Sequence, residues 1–255
     1  MKHLNDRDII YVMAQQAYRK VPYHNFQHAQ IVKNAALDIF DVVEKTRPDI
    51  LEEEIQEINA KDMNELRELL EIAALYHDVG RLYMPLDHDE KKSAILAWRI
   101  LEKLAYPKKK IMYVKKLILA TIFKNRWEIK NVVWKILADA DIAKSVASDV
   151  EFFVRDNARL LIESLDQDKL LTKDMILEYM KWKKNFIGYL TGITWNKDQP
   201  FLMEETNKVF PNFVKVRDEY FKKLEENPDY FIDLTRQEWS NFYWNYLILL
   251  DEIWE

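Results

Sequence analysis

The sequence has 255 residues, a formal net charge of −5 and no cysteine, which excludes disulfides, thiolate metal sites and cysteine nucleophiles. Its 49% hydrophobic and 32% charged residues are typical of a folded, water-soluble domain and exclude an intrinsically disordered chain. Only three glycines occur, and because tight turns and β-hairpins depend on glycine, this scarcity favours an all-α protein with short polar loops.

The N-terminal segment gives no sign of a targeting sequence. Residues 1–10 carry alternating charges and lack the apolar core of a signal peptide. No apolar run approaches the ~20 residues that span a bilayer. We therefore expect a cytoplasmic protein that does not bind a membrane.

The first clear helical pattern covers residues 28–43. His28, Ile31, Ala35 and Ile39 recur at the spacing that places side chains on one face of a helix. This pattern predicts an amphipathic helix whose buried stripe begins with a histidine.

A second helix is predicted between Asp62 and Gly80. Asp62 and Glu65 have the spacing of a capping box, which satisfies backbone N–H groups at a helix start. The buried face of this helix is expected to lead to Tyr76 and His77. Gly80 is typical of a helix end.

Apolar periodicity predicts further helices over residues 89–104, 108–124, 127–147, 150–165, 172–190, 203–224 and 236–254. Thr235 and Glu238 have capping-box spacing and are predicted to start the last of these helices. No linker rich in serine or glycine divides the chain. We therefore predict a single domain, with a core over residues 1–150 and a helical C-terminal extension over 151–255 packed on it. The aromatic residues of the last helix suit either core packing or a homo-oligomer contact.

Histidines and aspartates fall at three places along the predicted helices. Segment 23–28 contains two histidines, a His-Asp pair stands at positions 77 and 78, and segment 139–141 contains two aspartates. Each place lies within or directly after an apolar stripe, so these side chains are expected to face inward. Because buried charges are paired or bind a metal, a divalent cation would explain the whole set. Mixed imidazole and carboxylate ligands suit Mn, Fe, Zn, Co, Ni or Mg.

Spacing alone leaves two assignments open. His24 and His28 are four residues apart and, if both are helical, lie on one helix face. Both could then reach one site, where one would be a ligand and the other would lie just outside it. Asp139 and Asp141 each continue an apolar stripe, so periodicity does not choose the ligand between them.

These motifs resemble the HD superfamily of metal-dependent phosphohydrolases, in which a histidine, a His-Asp pair and a later aspartate lie on helices. Segment 23–28 is similar to the first motif of cyclic-nucleotide phosphodiesterases and of small bacterial HD phosphohydrolases. Segments 90–94 and 139–143 are also similar to the small bacterial proteins. The resemblance covers residues 20–150 and implies an HD-type helical bundle.

The resemblance implies a role for each residue of the motifs. His24 matches the general acid that protonates the leaving oxygen, and Asp141 is favoured over Asp139. The expected substrate is a small phosphoester, above all a nucleotide, attacked by a water that the metal activates; phosphodiesterase and phosphatase chemistry both stay open. The implied metal ligands are His28, His77, Asp78 and Asp141, of which Asp78 is also expected to serve catalysis.

The sequence departs from the phosphodiesterase pattern after the His-Asp pair and again at residues 122–126. Val79-Gly80-Arg81 follows the pair, and segment 122–126 contains no histidine or aspartate. Both departures favour a single metal, or a second metal held mostly by waters and substrate. They also motivate an alternative function, a non-catalytic HD-fold module that binds a nucleotide or metal and serves regulation.

Basic residues are available to hold a substrate phosphate, and the candidates are Arg81, Lys91, Lys92 and Lys124. Residues 99–135 carry eleven Lys or Arg against two Glu. This basic region either attracts an anionic substrate or forms the solvated side of amphipathic helices. No recognised nucleic-acid-binding motif accompanies the charge, so nucleic acid is not expected as a partner.

Overall fold

The computed structural model describes residues 5–18, 21–83, 89–122, 126, 128–143, 149–164, 172–193 and 201–254. These residues form twelve α-helices and one 3-10 helix, and none of them lies in a β-strand. The predicted all-α fold class is confirmed. Within the described ranges, no helix combines the length and the apolar character needed to cross a bilayer.

The first seven helices precede residue 144: α1 (Asp6–Ala17), α2 (Phe26–Thr46), α3 (Pro48–Ile58), α4 (Met63–Tyr76), α5 (Asp89–Lys103), α6 (Lys108–Leu119) and α7 (Val132–Ala143). The 3-10 helix (Val79–Tyr83) lies between α4 and α5. The remaining helices are α8 (Val150–Ser164), α9 (Lys173–Ile193), α10 (Glu204–Val209), α11 (Phe213–Glu226) and α12 (Pro228–Trp254).

The chain forms two compact units, of which the first comprises residues 1–19, 24–144 and 201–211. Its central element is α4, in which every residue from Leu69 to Tyr76 is buried. Helices α2 and α6 pack against α4, α7 packs against α2, and α5 packs against α6 and the 3-10 helix. Because a helix that is buried on all sides needs neighbours on all sides, α4 forms the core of this unit.

Local sequence signals account for the two helices that lead to the histidines. The predicted stripe of residues 28–43 is confirmed, since α2 buries Val32, Ala36, Ile39 and Phe40. The predicted cap of α4 is also confirmed, because the Asp62 side chain accepts a hydrogen bond of 2.9 Å from the Glu65 backbone N–H.

Several predicted helix boundaries are wrong. Helix α6 ends at Leu119, before the predicted residue 124, and α7 begins at Val132, after the predicted residue 127. Helix α4 ends at Tyr76, before Gly80, which lies in the 3-10 helix. Segment 203–224 contains two helices, separated near Pro211. The last helix begins at Pro228 instead of Thr235, because a proline suits the first position of a helix and the Asn227 side chain accepts a hydrogen bond from the Tyr230 N–H.

The second unit comprises residues 20–23, 145–200 and 212–255. Within it, α8 packs against α11 and α12, and the rings of Phe153 and Tyr220 lie 4.5 Å apart. Glu238 accepts hydrogen bonds from Arg155 (3.1 Å) and Arg159 (2.9 Å). The packing of residues 151–255 on the core stays a prediction. The homo-oligomer contact through the last helix also stays a prediction, since the side chains of residues 243–255 lie outside the described part of the chain.

A buried carboxylate attaches residues 201–211 to the first unit. Asp139 is fully buried and accepts hydrogen bonds from the backbone N–H groups of Leu202 (2.9 Å) and Met203 (3.1 Å) and from the Thr206 hydroxyl (2.8 Å). The Arg126 guanidinium pairs with the same carboxylate. The partners of Asp139 thus neutralise its charge and satisfy its hydrogen bonds, which indicates a structural role.

The 3-10 helix and α5 approach each other closely at Gly80. The Gly80 N–H donates a hydrogen bond of 2.8 Å to the Ser93 hydroxyl. A Cβ atom on Gly80 would lie 2.1 Å from the Asp89 carbonyl oxygen and 2.5 Å from the Ser93 nitrogen, both backbone atoms. Only glycine therefore fits here, and the contact holds the segment after the His-Asp pair against α5.

We predict that Gly80→Ala lowers the free energy of unfolding by about 1–3 kcal/mol, the usual cost of forcing extra volume into a packed site. Urea unfolding followed by circular dichroism measures this effect. Ser93→Ala is the control, since it removes the hydrogen bond without adding volume and is expected to cost less. Equal stability of Gly80→Ala and the wild type would contradict the close approach.

Candidate metal centre

The first histidine of the site is placed by the start of α2. The Asn25 side chain accepts a hydrogen bond of 3.1 Å from the His28 backbone N–H, which caps the helix and puts His28 in its first turn. His24 precedes the helix, so the condition that both histidines are helical is not met. The two rings nevertheless lie 5.2 Å apart, because the chain bends sharply before the cap.

The His-Asp pair lies directly after α4. His77 is fully buried, and its Nδ1 lies 2.8 Å from the Ala74 carbonyl oxygen. A carbonyl can only accept, so Nδ1 carries the proton of the neutral imidazole and the Nε2 lone pair is left free. Nε2 faces the carboxylates, at 2.9 Å from Asp78 Oδ2.

Helix α7 brings the fourth side chain to the same place. Asp141 Oδ1 lies 3.6 Å from His28 Nε2 and 3.4 Å from His77 Nε2. The two imidazole Nε2 atoms are 3.3 Å apart, and His28 Nε2 is 3.0 Å from Asp78 Oδ2. One potential ligand atom from each of the four residues thus lies within 4.8 Å of the others.

These separations match the geometry of a metal site. Imidazole and carboxylate ligands bind divalent transition metals at about 2.0–2.2 Å, which in a tetrahedral arrangement puts neighbouring ligand atoms roughly 3.4 Å apart. The distances that join the imidazoles to each other and to the carboxylates run from 2.9 to 3.6 Å. The four side chains therefore fit a single divalent cation, while their role as ligands stays a prediction.

Opposite charges stabilise one another in this cluster. Burial lowers the pKa of His28, but its hydrogen bonds to Asp141 and Asp78 outweigh burial and raise it above its usual value. Burial likewise lowers the pKa of His77, and the charges of both aspartates raise it much further. Burial raises the pKa of Asp78 and of Asp141, yet the histidines hold both well below their usual range. The cluster thus favours a positive charge at its centre, which a cation supplies when the imidazoles are neutral.

The predicted phosphate-binding residues lie close to the site along the chain. Arg81 is in the 3-10 helix, with its Nε 4.0 Å from Asp89 Oδ2. Lys91 is exposed and Lys92 partly buried in the first turns of α5. Lys124 lies outside the described residues. Phosphate binding stays a prediction for all four residues.

Two residues that interact electrostatically with the cluster, Tyr18 and Glu90, were not among the predicted site residues. Tyr18 is the residue after α1, and the negative charges of Asp78 and Asp141 reach its buried hydroxyl. Glu90 lies in the first turn of α5, where burial, with the same two charges, raises its pKa. Glu90 falls in segment 90–94, which is similar to the small bacterial HD phosphohydrolases, so a sequence motif could have identified it. Tyr18 belongs to no motif and only the folded structure reveals its position.

Comparison with known proteins gives a family match. The chain matches the model of a family described as HD domain over residues 23–166, more than half of its length. This segment contains His24 and the four clustered residues. No curated protein and no solved structure matches the chain.

We predict that the isolated protein carries about one tightly held divalent transition metal per chain, as expected for four converging ligands. A cation that binds only the folded state at 100 times its Kd stabilises that state by about 2.7 kcal/mol. Elemental analysis measures the content, and melting curves before and after chelation measure the stabilisation. Absence of metal together with no rise in Tm on adding metal would contradict this prediction.

We predict different losses for the two aspartates of α7. Asp141→Ala is expected to abolish metal retention, because it removes a converging oxygen. Asp139→Ala is expected to keep metal affinity but to lower stability by about 3–5 kcal/mol, the usual effect of leaving a buried charge such as Arg126 unpaired. The metal content and Tm of the two variants show which aspartate is the ligand. If Asp139→Ala alone loses the metal, the ligand is Asp139 instead of Asp141.

Proposed function

The chain belongs to the HD domain family, and on this basis we propose that it is a phosphohydrolase that uses a divalent metal to hydrolyse a phosphoester, with a nucleotide as substrate. Proteins with this domain are in general metal-dependent hydrolases. The observation that carries the proposal is the convergence of two imidazoles and two carboxylates within 4.8 Å. Such a set binds a cation of the type that hydrolytic enzymes use.

The four clustered residues would hold the cation: His28, His77, Asp78 and Asp141. When bound, a divalent cation lowers the pKa of water from 15.7 toward about 7 and polarises phosphoryl oxygens. Burial of the histidines excludes bulk water from the ligand side, and the part-exposed Asp141 carboxylate, 28% accessible, marks the side open to solvent. A substrate phosphate would reach the centre from that side.

His24 is suited to move the proton that the leaving oxygen needs. Its Nε2 lies 3.8 Å from Asp78 Oδ2, farther than the Nε2 atoms of His28 and His77. It is therefore placed at the edge of the cluster, beside the expected ligands. The Asp78 carboxylate stabilises a positive charge on this imidazole. We propose that His24 donates its proton to the leaving group as a general acid.

Residues near the start of α5 are proposed to hold the phosphate. Arg81 carries a guanidinium that suits bidentate binding of phosphate oxygens. Lys91 and Lys92 add positive charge next to the buried Asp89 and the part-buried Glu90. Lys124 is proposed for the same role on sequence grounds alone.

A substrate screen tests the proposed activity. Phosphomonoesters, cyclic nucleotides and dinucleotides are each incubated with the metal-free protein and with added Mn²⁺, Fe²⁺, Zn²⁺, Co²⁺, Ni²⁺ or Mg²⁺. We expect hydrolysis of at least one nucleotide class that needs metal and is lost in Asp141→Ala. Absence of turnover under every condition would contradict a catalytic role.

The second candidate is a module that binds a metal or nucleotide without turning it over. It is favoured by segment 122–126, where phosphodiesterase-like proteins supply further ligands and this chain has the buried Arg126, which pairs with Asp139. Metal-dependent nucleotide binding in calorimetry, combined with no hydrolysis in the screen, would select it. A cytoplasmic location and a homo-oligomer stay predictions under either function.

We predict that His24→Ala lowers kcat and kcat/KM together by about 10²–10⁴, the usual contribution of general acid catalysis. Metal content and Tm are expected to stay near those of the wild type. Gln27→Ala is the matched control, because Gln27 lies three residues after His24 and is exposed. Loss of metal would make His24 a ligand, and loss of Tm with full specific activity would make it a core residue; either result contradicts the acid role.

A further inference from the structure

The histidine proposed as the general acid lies in a segment without helix. Residues 21–25 lead to the start of α2, and none of them is helical. His24 is nevertheless buried, with 5% of its surface exposed, and its Nε2 lies 3.8 Å from Asp78 Oδ2. Because helical hydrogen bonds do not fix this segment, other contacts of the segment determine where the imidazole lies.

Side-chain acceptors bind the backbone on both sides of His24. On the C-terminal side, the Asn25 side chain accepts a hydrogen bond of 3.1 Å from the His28 N–H. On the N-terminal side, the Tyr23 N–H donates a hydrogen bond of 2.9 Å to Oε2 of Glu163. Glu163 lies in the last turn of α8, 140 residues farther along the chain. The two acceptors therefore restrict the backbone directly before and directly after the histidine.

The hydrogen bond between Tyr23 and Glu163 is suited to hold the backbone in place. An ionised carboxylate that accepts from an N–H makes a charge-assisted hydrogen bond, which is roughly twice as strong as a neutral one. The pair is part-buried, so water competes less for both groups. Both residues belong to the second unit, and the chain enters the first unit at His24. The contact thus fixes the residue from which the histidine starts.

We propose that Glu163 is a positioning residue for His24. Its carboxylate holds the Tyr23 backbone and thereby keeps the imidazole beside the metal centre, where it can protonate the leaving oxygen. This inference rests on the proposed function, and it adds a residue of α8 to the residues that the activity needs. Glu163 is expected to act through the backbone and not by contact with the substrate.

The first measurement follows the imidazole without any turnover. Zn²⁺-saturated protein with isotope-labelled histidine is studied by NMR, and His24→Ala identifies the ring signal of His24 among those of the five histidines. In Glu163→Ala we expect this signal to shift, while the signal of the fully buried His77 stays unchanged. Glu163→Gln is expected to restore the His24 signal, because glutamine keeps a carbonyl oxygen that can accept from the Tyr23 N–H.

The second measurement compares two leaving groups in the metal-loaded protein. p-Nitrophenyl phosphate releases a stable anion that needs little help from an acid, whereas phenyl phosphate releases a more basic oxygen that needs a proton. For phenyl phosphate we expect Glu163→Ala to lower kcat about 10- to 100-fold with KM nearly unchanged, since a misplacement of about 1 Å can cost 10²-fold. For p-nitrophenyl phosphate we expect little change. Glu163→Gln is expected to recover most of the loss.

A double variant shows whether Glu163 acts through the histidine. In the His24→Ala background, Glu163→Ala is expected to cause no further loss of kcat, because two residues that act as a unit give non-additive losses. Additive losses in the double variant would show a role that does not involve His24 and would overturn the inference.

Glu151→Ala is the matched control. Glu151 lies in the first turn of the same helix and accepts a hydrogen bond of 3.4 Å from Lys223 of α11. This variant also removes a hydrogen-bonded glutamate from α8, but leaves the Tyr23 contact intact. The His24 signal and the kcat for phenyl phosphate are expected to equal those of the wild type. Changes of the same size in Glu151→Ala and Glu163→Ala would contradict a specific role for Glu163.

The remaining outcomes separate this inference from the proposed function. An unchanged His24 signal in Glu163→Ala overturns the inference, as does an unchanged kcat for phenyl phosphate or a loss of metal. If the His24 signal responds as expected but no phosphoester is hydrolysed, the positioning role stands and the proposed enzymatic function fails.

Discussion

The need to neutralise the carboxylates of Asp78 and Asp141 beside two buried imidazoles organises the first unit. Asp78 and Asp141 cannot both be ionised in a protein interior without positive charge nearby, and the imidazoles supply that charge only when they are protonated. A cation satisfies all four groups at once, with each imidazole neutral and each carboxylate ionised. The helices that meet here therefore carry a site that is balanced only when it holds positive charge.

Local contacts hold three residues of the cluster, His28, His77 and Asp78, which limits how far the site can relax. The Asn25 cap fixes His28, the Ala74 carbonyl orients the His77 ring, and the close contact at Gly80 holds the segment after Asp78. Preorganisation of this kind reduces the conformational entropy that cation binding would otherwise cost. The buried helix α4 contains Ala74, precedes the His-Asp pair and packs against α2 and α5, so it supports all three contacts.

Much of the fold and the core of the site could be predicted from the sequence, because apolar periodicity and buried polar residues carry local signals. The helical class and the clustering of His28, His77, Asp78 and Asp141 were accessible in this way. Helix starts were less so: Thr235 and Glu238 have capping-box spacing, yet tertiary packing buries both inside α12. Three of the partners of Asp139, namely Leu202, Met203 and Thr206, lie more than sixty residues away in sequence. Contacts of such separation leave no trace in local spacing.

The partners of Asp139 also bear on how the protein is made. Residues 145–200 belong to the second unit and interrupt the first, which is completed by residues 201–211. A chain emerging from the ribosome exposes α7, with Asp139 and Asp141, well before it exposes Leu202, Met203 and Thr206. During that interval Asp139 lacks three of its hydrogen-bond donors, and the N-terminal part cannot reach its final structure by itself. Folding of the first unit therefore ends only after the interrupting segment has been synthesised, contrary to the usual order in which N-terminal domains are completed first.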